Sequence, residues 1–223
     1  MAKALDLDEQ EQLDQIKHFW NTWGNLISWV LIAVLGSYAA WNGYQYWERS
    51  QAAKAAALYD EVERAVSSGD LARVERSLAD MKEKFGSTQF AQQSALLAAK
   101  TLQAQGKSEA AREALTWVVT GAKDPAYRDI ARLRLVALQL EAKAYDDALK
   151  QLGSEFTPEM SGLAADLRGD VLQAKGQSAD AVSAYQLAWS KLADMPDYRR
   201  LVQAKLNALG IDPDAAAVSE TPK

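Results

Sequence analysis

The stretch that most constrains this chain runs from Phe19 to Trp47 without one charged side chain, and its interior from Leu26 to Ala40 is almost wholly apolar. A helix needs about 20 such residues to cross a hydrocarbon layer roughly 30 Å thick, so the stretch is long enough to span one. Its edges carry Trp20, Trp23 and Trp29 at one end and Trp41, Tyr44, Tyr46 and Trp47 at the other, where aromatic rings sit at the two membrane–water interfaces. A buried helix of a soluble core is another reading, but such helices seldom run this far without charge, and nothing else in the chain is apolar enough to enclose one. A cleaved leader is a third reading, since Ser37-Tyr38-Ala39 before Ala40 has the small-x-small form of a cleavage site. Against it stand the acidic residues Asp6, Asp8, Glu9, Glu11 and Asp14 at the start, and the aromatic residues beyond the cut. The expectation is an uncleaved anchor over residues 24–47, in contact with the lipid bilayer, with Trp20, Trp23, Trp41, Tyr44 and Trp47 at the membrane interfaces.

Residues 1–23 are then a leader. Leu13, Ile16, Trp20 and Trp23 recur at helical spacing, so its second half is expected to be an amphipathic helix running into the membrane, preceded by a short acidic tail. Lys3 and Lys17 before the anchor oppose Arg49 and Lys54 after it, so the excess of basic residues that marks a cytoplasmic side does not orient the chain. A short leader before a long C-terminal domain suits an anchor that leaves the N-terminus in the cytoplasm.

In a chain of 223 residues, the part beyond the anchor is enough for one ordinary domain with a core. The net charge is −5 and no basic stripe is present, which argues against nucleic acid as a partner. There is no cysteine, and the one histidine, His18, lies beside the anchor. Disulfides, thiol catalysis, a Ser-His-Asp triad and a paired-histidine metal site are therefore excluded from the domain. Neither of the glycine-rich nucleotide fingerprints occurs. The carboxylate pairs Asp146 with Asp147 and Asp166 with Asp170 read as charged faces of exposed helices. No catalytic residue, cofactor or metal is expected, and the chain reads as a non-enzyme.

After Trp47 the sequence is rich in Ala, Leu, Glu, Lys, Gln and Arg, with helical periodicity and no alternating strand pattern. Gly69, Gly106 and Gly176 each divide two helical runs, and Lys143 in A-K-A-Y-D-D-A holds the same place in a further unit, giving turns 37, 37 and 33 residues apart. Aligned on those turns, Val62, Ala99, Val136 and Gly169 lie seven residues before, Val74, Ala111, Ala148 and Ala181 five after, and Leu78, Leu115, Leu152 and Tyr185 nine after. Small residues at fixed offsets mark close helix crossings, Gly169 and Ala181 foremost. This order resembles the tetratricopeptide repeat, most closely from Gly162 to Ala188, where Gly169, Leu172, Gly176, Ala181, Tyr185 and Ala188 all fall on its pattern. The third unit departs from it, with Gly153 and Glu155 where a helix should continue, so its second helix is expected to be short.

The fold class expected is all-α: a single N-terminal transmembrane helix followed, over residues 48–209, by a tetratricopeptide-like helical solenoid of about four helix pairs plus a capping helix that starts at Met195-Pro196-Asp197. The rival is a plain helical bundle with Ala at its crossings. Residues 210–223 read as a disordered tail. In a solenoid the first helix of each pair faces a concave side. Ten residues before the turns lie Tyr59, Leu96, Leu133 and Asp166, and six before lie Glu63, Lys100, Ala137 and Asp170. Among these eight positions Lys100 alone is basic, so capture of a peptide's terminal carboxylate is disfavoured. Tyr59, Leu96 and Leu133, joined by Ile130 and Leu140, are either a hydrophobic recess for an apolar helix or unfolded segment, or core packed against another helix.

The leader pattern Glu11-Gln12, Ile16-Lys17, Trp20 and Trp23-Gly24, followed by one anchor and a tetratricopeptide-like domain, resembles the YfgM family, the ancillary subunit of the SecYEG translocon. Leu133-Arg134-Leu135 and Leu167-Arg168-Gly169-Asp170 are similar to that family too. The resemblance implies a single-pass bacterial inner-membrane protein with a periplasmic domain. It also implies partners: the Sec translocon, a membrane-anchored prolyl-isomerase-like chaperone, and unfolded or secreted client proteins passed on to periplasmic chaperones. It implies no catalytic residues. Beside a non-enzymatic membrane-anchored scaffold stand two other readings: a signalling regulator acting through its cytoplasmic leader, and a coordinator of cell-envelope assembly or division.

Overall fold

The computed structural model describes residues 7–214. Among them every element is an α-helix: α1 (Leu7–Ser68), α2 (Leu71–Phe85), α3 (Gln89–Ala104), α4 (Ser108–Gly121), α5 (Pro125–Glu141), α6 (Tyr145–Leu152), α7 (Pro158–Ala174), α8 (Ser178–Lys191) and α9 (Pro196–Ala208). The chain divides into two compact units, Met1–Gln51 and Ala52–Lys223.

In the first unit the described residues belong to α1, the one helix among the described residues that is long and apolar enough to cross a membrane. Trp29, Ile32 and Leu35 are each at least 60% exposed, a surface that water would not tolerate and lipid would. Three polar side chains there turn back on their own helix: Thr22 Oγ1 donates to the His18 carbonyl, Ser37 Oγ to that of Ala33 at 2.7 Å and Asn42 Nδ2 to that of Tyr38. Donors satisfied in this way cost little in hydrocarbon.

The second unit is built of helix pairs, and the repeat register read from the sequence holds in it. Val62, Ala99 and Val136 before the turns, and all eight residues five and nine places after them, are no more than 7% exposed. A Cβ built on Gly169 would run into the Tyr185 ring, so the small-residue rule is strictest at that crossing.

Each pair closes through the same turn. Gly69, Gly106 and Gly176 have φ of 70°, 77° and 83°, and Lys143 takes the same left-handed conformation at 59°. The amide of the residue after each turn reaches back to the last turn of the preceding helix: Lys107 to the Leu102 carbonyl, Ala144 to Gln139 and Gln177 to Leu172. This is the usual closure of a helix by a left-handed residue, a conformation that costs an L-side chain more than glycine. Lys143→Gly is therefore expected to raise the stability of the unit by about 0.5 to 1 kcal/mol, read as a higher midpoint in chemical denaturation.

Two features add to these expectations. Gly210 is a fifth such turn, with φ of 79° and the Ile211 amide bonded to the Leu206 carbonyl, 34 residues after Gly176. α9, expected as a cap, stands in the register of the first helix of another pair. The tail expected from Gly210 begins with packed residues, because Ile211 lies against the buried cluster around Tyr185 and Leu206, and Asp212 accepts a hydrogen bond from the Asp214 amide. The rest of that tail, residues 215–223, and the first residues of the acidic leader, 1–6, lie outside the described residues. The short second helix expected in the third unit is α6, with 8 residues.

Candidate interaction surface

The five residues expected to form an apolar recess are not brought together as one open surface. Leu96 is 7% exposed and belongs to the core shared by α2, α3, α4 and α5. Its register position faces the next unit's first helix, and Arg134 of α5 donates to the Leu96 carbonyl at 2.9 Å. Leu96 is thus core, a correction to its expected role. Ile130 packs against that same core, while Leu133 and Leu140 pack against the smaller cluster of Val136, Ala148, Leu152, Ala164 and Val171. Tyr59 lies beside Phe90 of α3, ring centres 5.8 Å apart. These four are half-buried, each with an edge left toward solvent. Near Tyr59, Gln93 Nε2 donates to the Tyr127 hydroxyl at 2.6 Å, so aromatic edges and amide groups alternate here. Burial, and next the Glu63 carboxylate, raise the Tyr59 pKa.

In the C-terminal units the equivalent register positions are occupied from within the chain. Asp166 and Asp170, expected on an exposed face, receive Lys205 of α9: its Nζ lies 2.8 Å from Asp166 Oδ1 and 2.7 Å from Asp170 Oδ1. Asp166 is 2% exposed. The Tyr198 hydroxyl donates to Asp166 and the Tyr185 hydroxyl to Asp170, both at 2.8 Å, and the Arg199 guanidinium stacks 3.7 Å from the Trp189 ring centre. Both carboxylates therefore meet a cation and a hydroxyl donor, the condition under which burying charge is tolerable. Sequence reading missed this seat, although the signal was there: two carboxylates four residues apart, one of them at the register position that holds Tyr59 and Leu96 in other units.

Burial, then the carboxylate partners, push the pKa of both Tyr185 and Tyr198 well above the ordinary phenol value. In the unfolded chain these phenols ionise near pH 10, whereas in the folded chain they keep their protons to higher pH. Their contribution is complete below pH 10 and is lost as pH rises beyond it, by up to about 1.4 kcal/mol per pH unit for each phenol. Melting temperature is expected to hold steady up to about pH 9.5 and then fall, less steeply in Tyr185→Phe.

In the second unit, the large apolar side chains left exposed among the described residues are Leu187, Met195 and Leu201, at 49%, 43% and 49%. Leu187 borders a cleft of about 600 Å³ on α6, α7 and α8, with Leu149, Leu172 and Arg168 among its walls. No group of three His, Cys, Asp or Glu side chains able to hold a metal ion occurs among the described residues.

A family model described as a tetratricopeptide repeat-like domain matches residues 17–211, from the leader to the fifth turn. A Neisseria gonorrhoeae protein named "Ancillary SecYEG translocon subunit" is 32% identical over 208 residues, covering 92% of this chain and 99% of that protein. This chain belongs to the ancillary SecYEG translocon subunit family. Relatives of the same name in Haemophilus influenzae and Escherichia coli are 25% and 28% identical, each over 92% of the chain and at least 98% of the relative. No solved structure matches. The family is thus defined over the anchor and the helix pairs together, and the fifth turn at Gly210 falls just inside the matched span.

Proposed function

We propose that this protein is a non-enzymatic scaffold held in the bacterial inner membrane by residues 24–47, with its N-terminus in the cytoplasm and its second unit in the periplasm. It associates with the Sec translocon there and helps pass secreted proteins to periplasmic chaperones, a membrane-anchored prolyl-isomerase-like chaperone among them. The observation that carries this reading is the near end-to-end match to relatives named as ancillary translocon subunits. One helix among the described residues long and apolar enough to cross a membrane and a stack of helix pairs, an architecture that binds other chains along its inner face, support it. The solvent-facing edges of Tyr59, Ile130, Leu133 and Leu140 are the partner contacts, with Leu96 beneath them as support.

A photo-reactive residue placed at Tyr59, Leu133 or Leu140 is expected to give adducts with translocon subunits or with exported chains in intact membranes. A reporter active only in the periplasm is expected to give signal when fused after Lys223. Adducts with cytoplasmic proteins alone, or a reporter silent in the periplasm, would overturn the reading.

A further inference from the structure

The third unit differs from its neighbours in three independent ways. α6 has 8 residues where α2, α4 and α8 have 15, 14 and 14, and the chain from Gly153 to Thr157 beyond it has no regular secondary structure. The buried apolar residues also divide here. A cluster of sixteen, centred on α2–α5, and a cluster of nine on α7–α9 are joined by only five: Val136, Ala148, Leu152, Ala164 and Val171.

Beside the packing of Phe156 on that small cluster, polar bonds tie α5 to the irregular segment. Asp129, 3% exposed, accepts the Thr157 amide through Oδ2 at 2.8 Å and pairs through Oδ1 with Arg132 at 3.3 Å. Arg132 reaches on to the Glu155 carbonyl at 3.1 Å and lies over the Phe156 ring, 4.9 Å from its centre. A cavity of about 530 Å³ beside these groups, bordered by Val119, Arg128 and Pro158, leaves the segment room to move.

A narrow apolar seam beside an irregular link is where packed blocks of helices can turn on one another. Directional bonds to a buried carboxylate select one arrangement out of several. We propose that the α6–α7 junction is a joint in the stack and that the clip centred on Asp129 holds it at one angle, so that the spread of the inner face across α3, α5 and α7 is set there.

The chain has no cysteine, so spin labels on cysteines introduced at the exposed residues Lys84 of α2 and Ser190 of α8 report the span across the joint in the full-length protein in nanodiscs. One narrow distance peak is expected without further change. Asp129→Ala removes the clip, and Thr157→Pro removes its amide donor at a φ of −59° that proline already prefers. Both are expected to shift the peak and to lose its narrow form. Gln93→Leu, which breaks the bond to Tyr127 within the N-terminal block, is expected to leave it unchanged. The proposal is overturned if the clip variants melt cooperatively and keep the original peak, or if Gln93→Leu broadens it as much as they do. Should Asp129→Ala fail to fold, Thr157→Pro decides alone.

Discussion

Gly169→Leu is expected to destabilise the second unit by about 3 kcal/mol, a fall of roughly 6 to 12 °C in Tm for a domain of this size. The cause is local. Gly169 sits on α7 where the Tyr185 ring of α8 crosses it, and even a single added carbon would overlap that ring. The ring has nowhere to retreat without giving up the bond from its hydroxyl to Asp170, so overpacking and a lost hydrogen bond add together. Gly121 provides the contrast, since an added Cβ there meets open space. The matching Gly121→Leu is expected to shift stability by no more than about 0.5 kcal/mol. Thermal melts of both proteins check the pair, and equal melting temperatures would mean that the crossing is not a close one.

Lys205→Met is expected to cost about as much, by a different route. Removing the ammonium leaves Asp166 at 3% side-chain exposure with only the Tyr198 hydroxyl to stabilise its charge. Breaking a buried pair by taking away one partner typically costs about 3 to 5 kcal/mol, and the lower end applies because Lys205 itself is 23% exposed. Since the pair joins α9 to α7, amide hydrogen exchange is expected to quicken first over α9. Adding Asp166→Leu should recover much of the loss, because it removes the more buried of the two stranded charges, while Asp170 keeps 29% side-chain exposure and the Tyr185 hydroxyl. Exchange that speeds up evenly through all helices would show that α9 is not seated by this pair.

The membrane segment and the helix-pair register were legible because both rest on period and side-chain size, which the sequence displays directly. Lys143 could be placed at a turn without being glycine because its neighbours kept the offsets, and its φ of 59° follows from that position. The fifth turn was missed for the opposite reason. Around Gly210 the flanking residues do not repeat the small and large sizes of the earlier units, with Gln203 seven places before it, and only backbone geometry reveals it. The inner surface was the least legible part. Whether Leu96 faces a partner or the next helix depends on how far one pair rotates against the next, and no spacing within a single helix encodes that rotation. The seat of Lys205 on Asp166 is a contact 39 residues apart in the chain, invisible to any local pattern.

That separation has a further meaning. Among the side-chain hydrogen bonds of the described residues, none joins positions farther apart than Lys205 and Asp166, so each of these bonds closes within about one repeat of later sequence. A chain delivered N-terminus first can close every pair soon after the next one appears, with no segment waiting for a distant partner. At about 5 to 20 residues per second, α7 would stand with its two carboxylates uncovered for roughly 2 to 8 seconds until Lys205 arrives. For these bonds the order in which partners emerge is the order in which they can close.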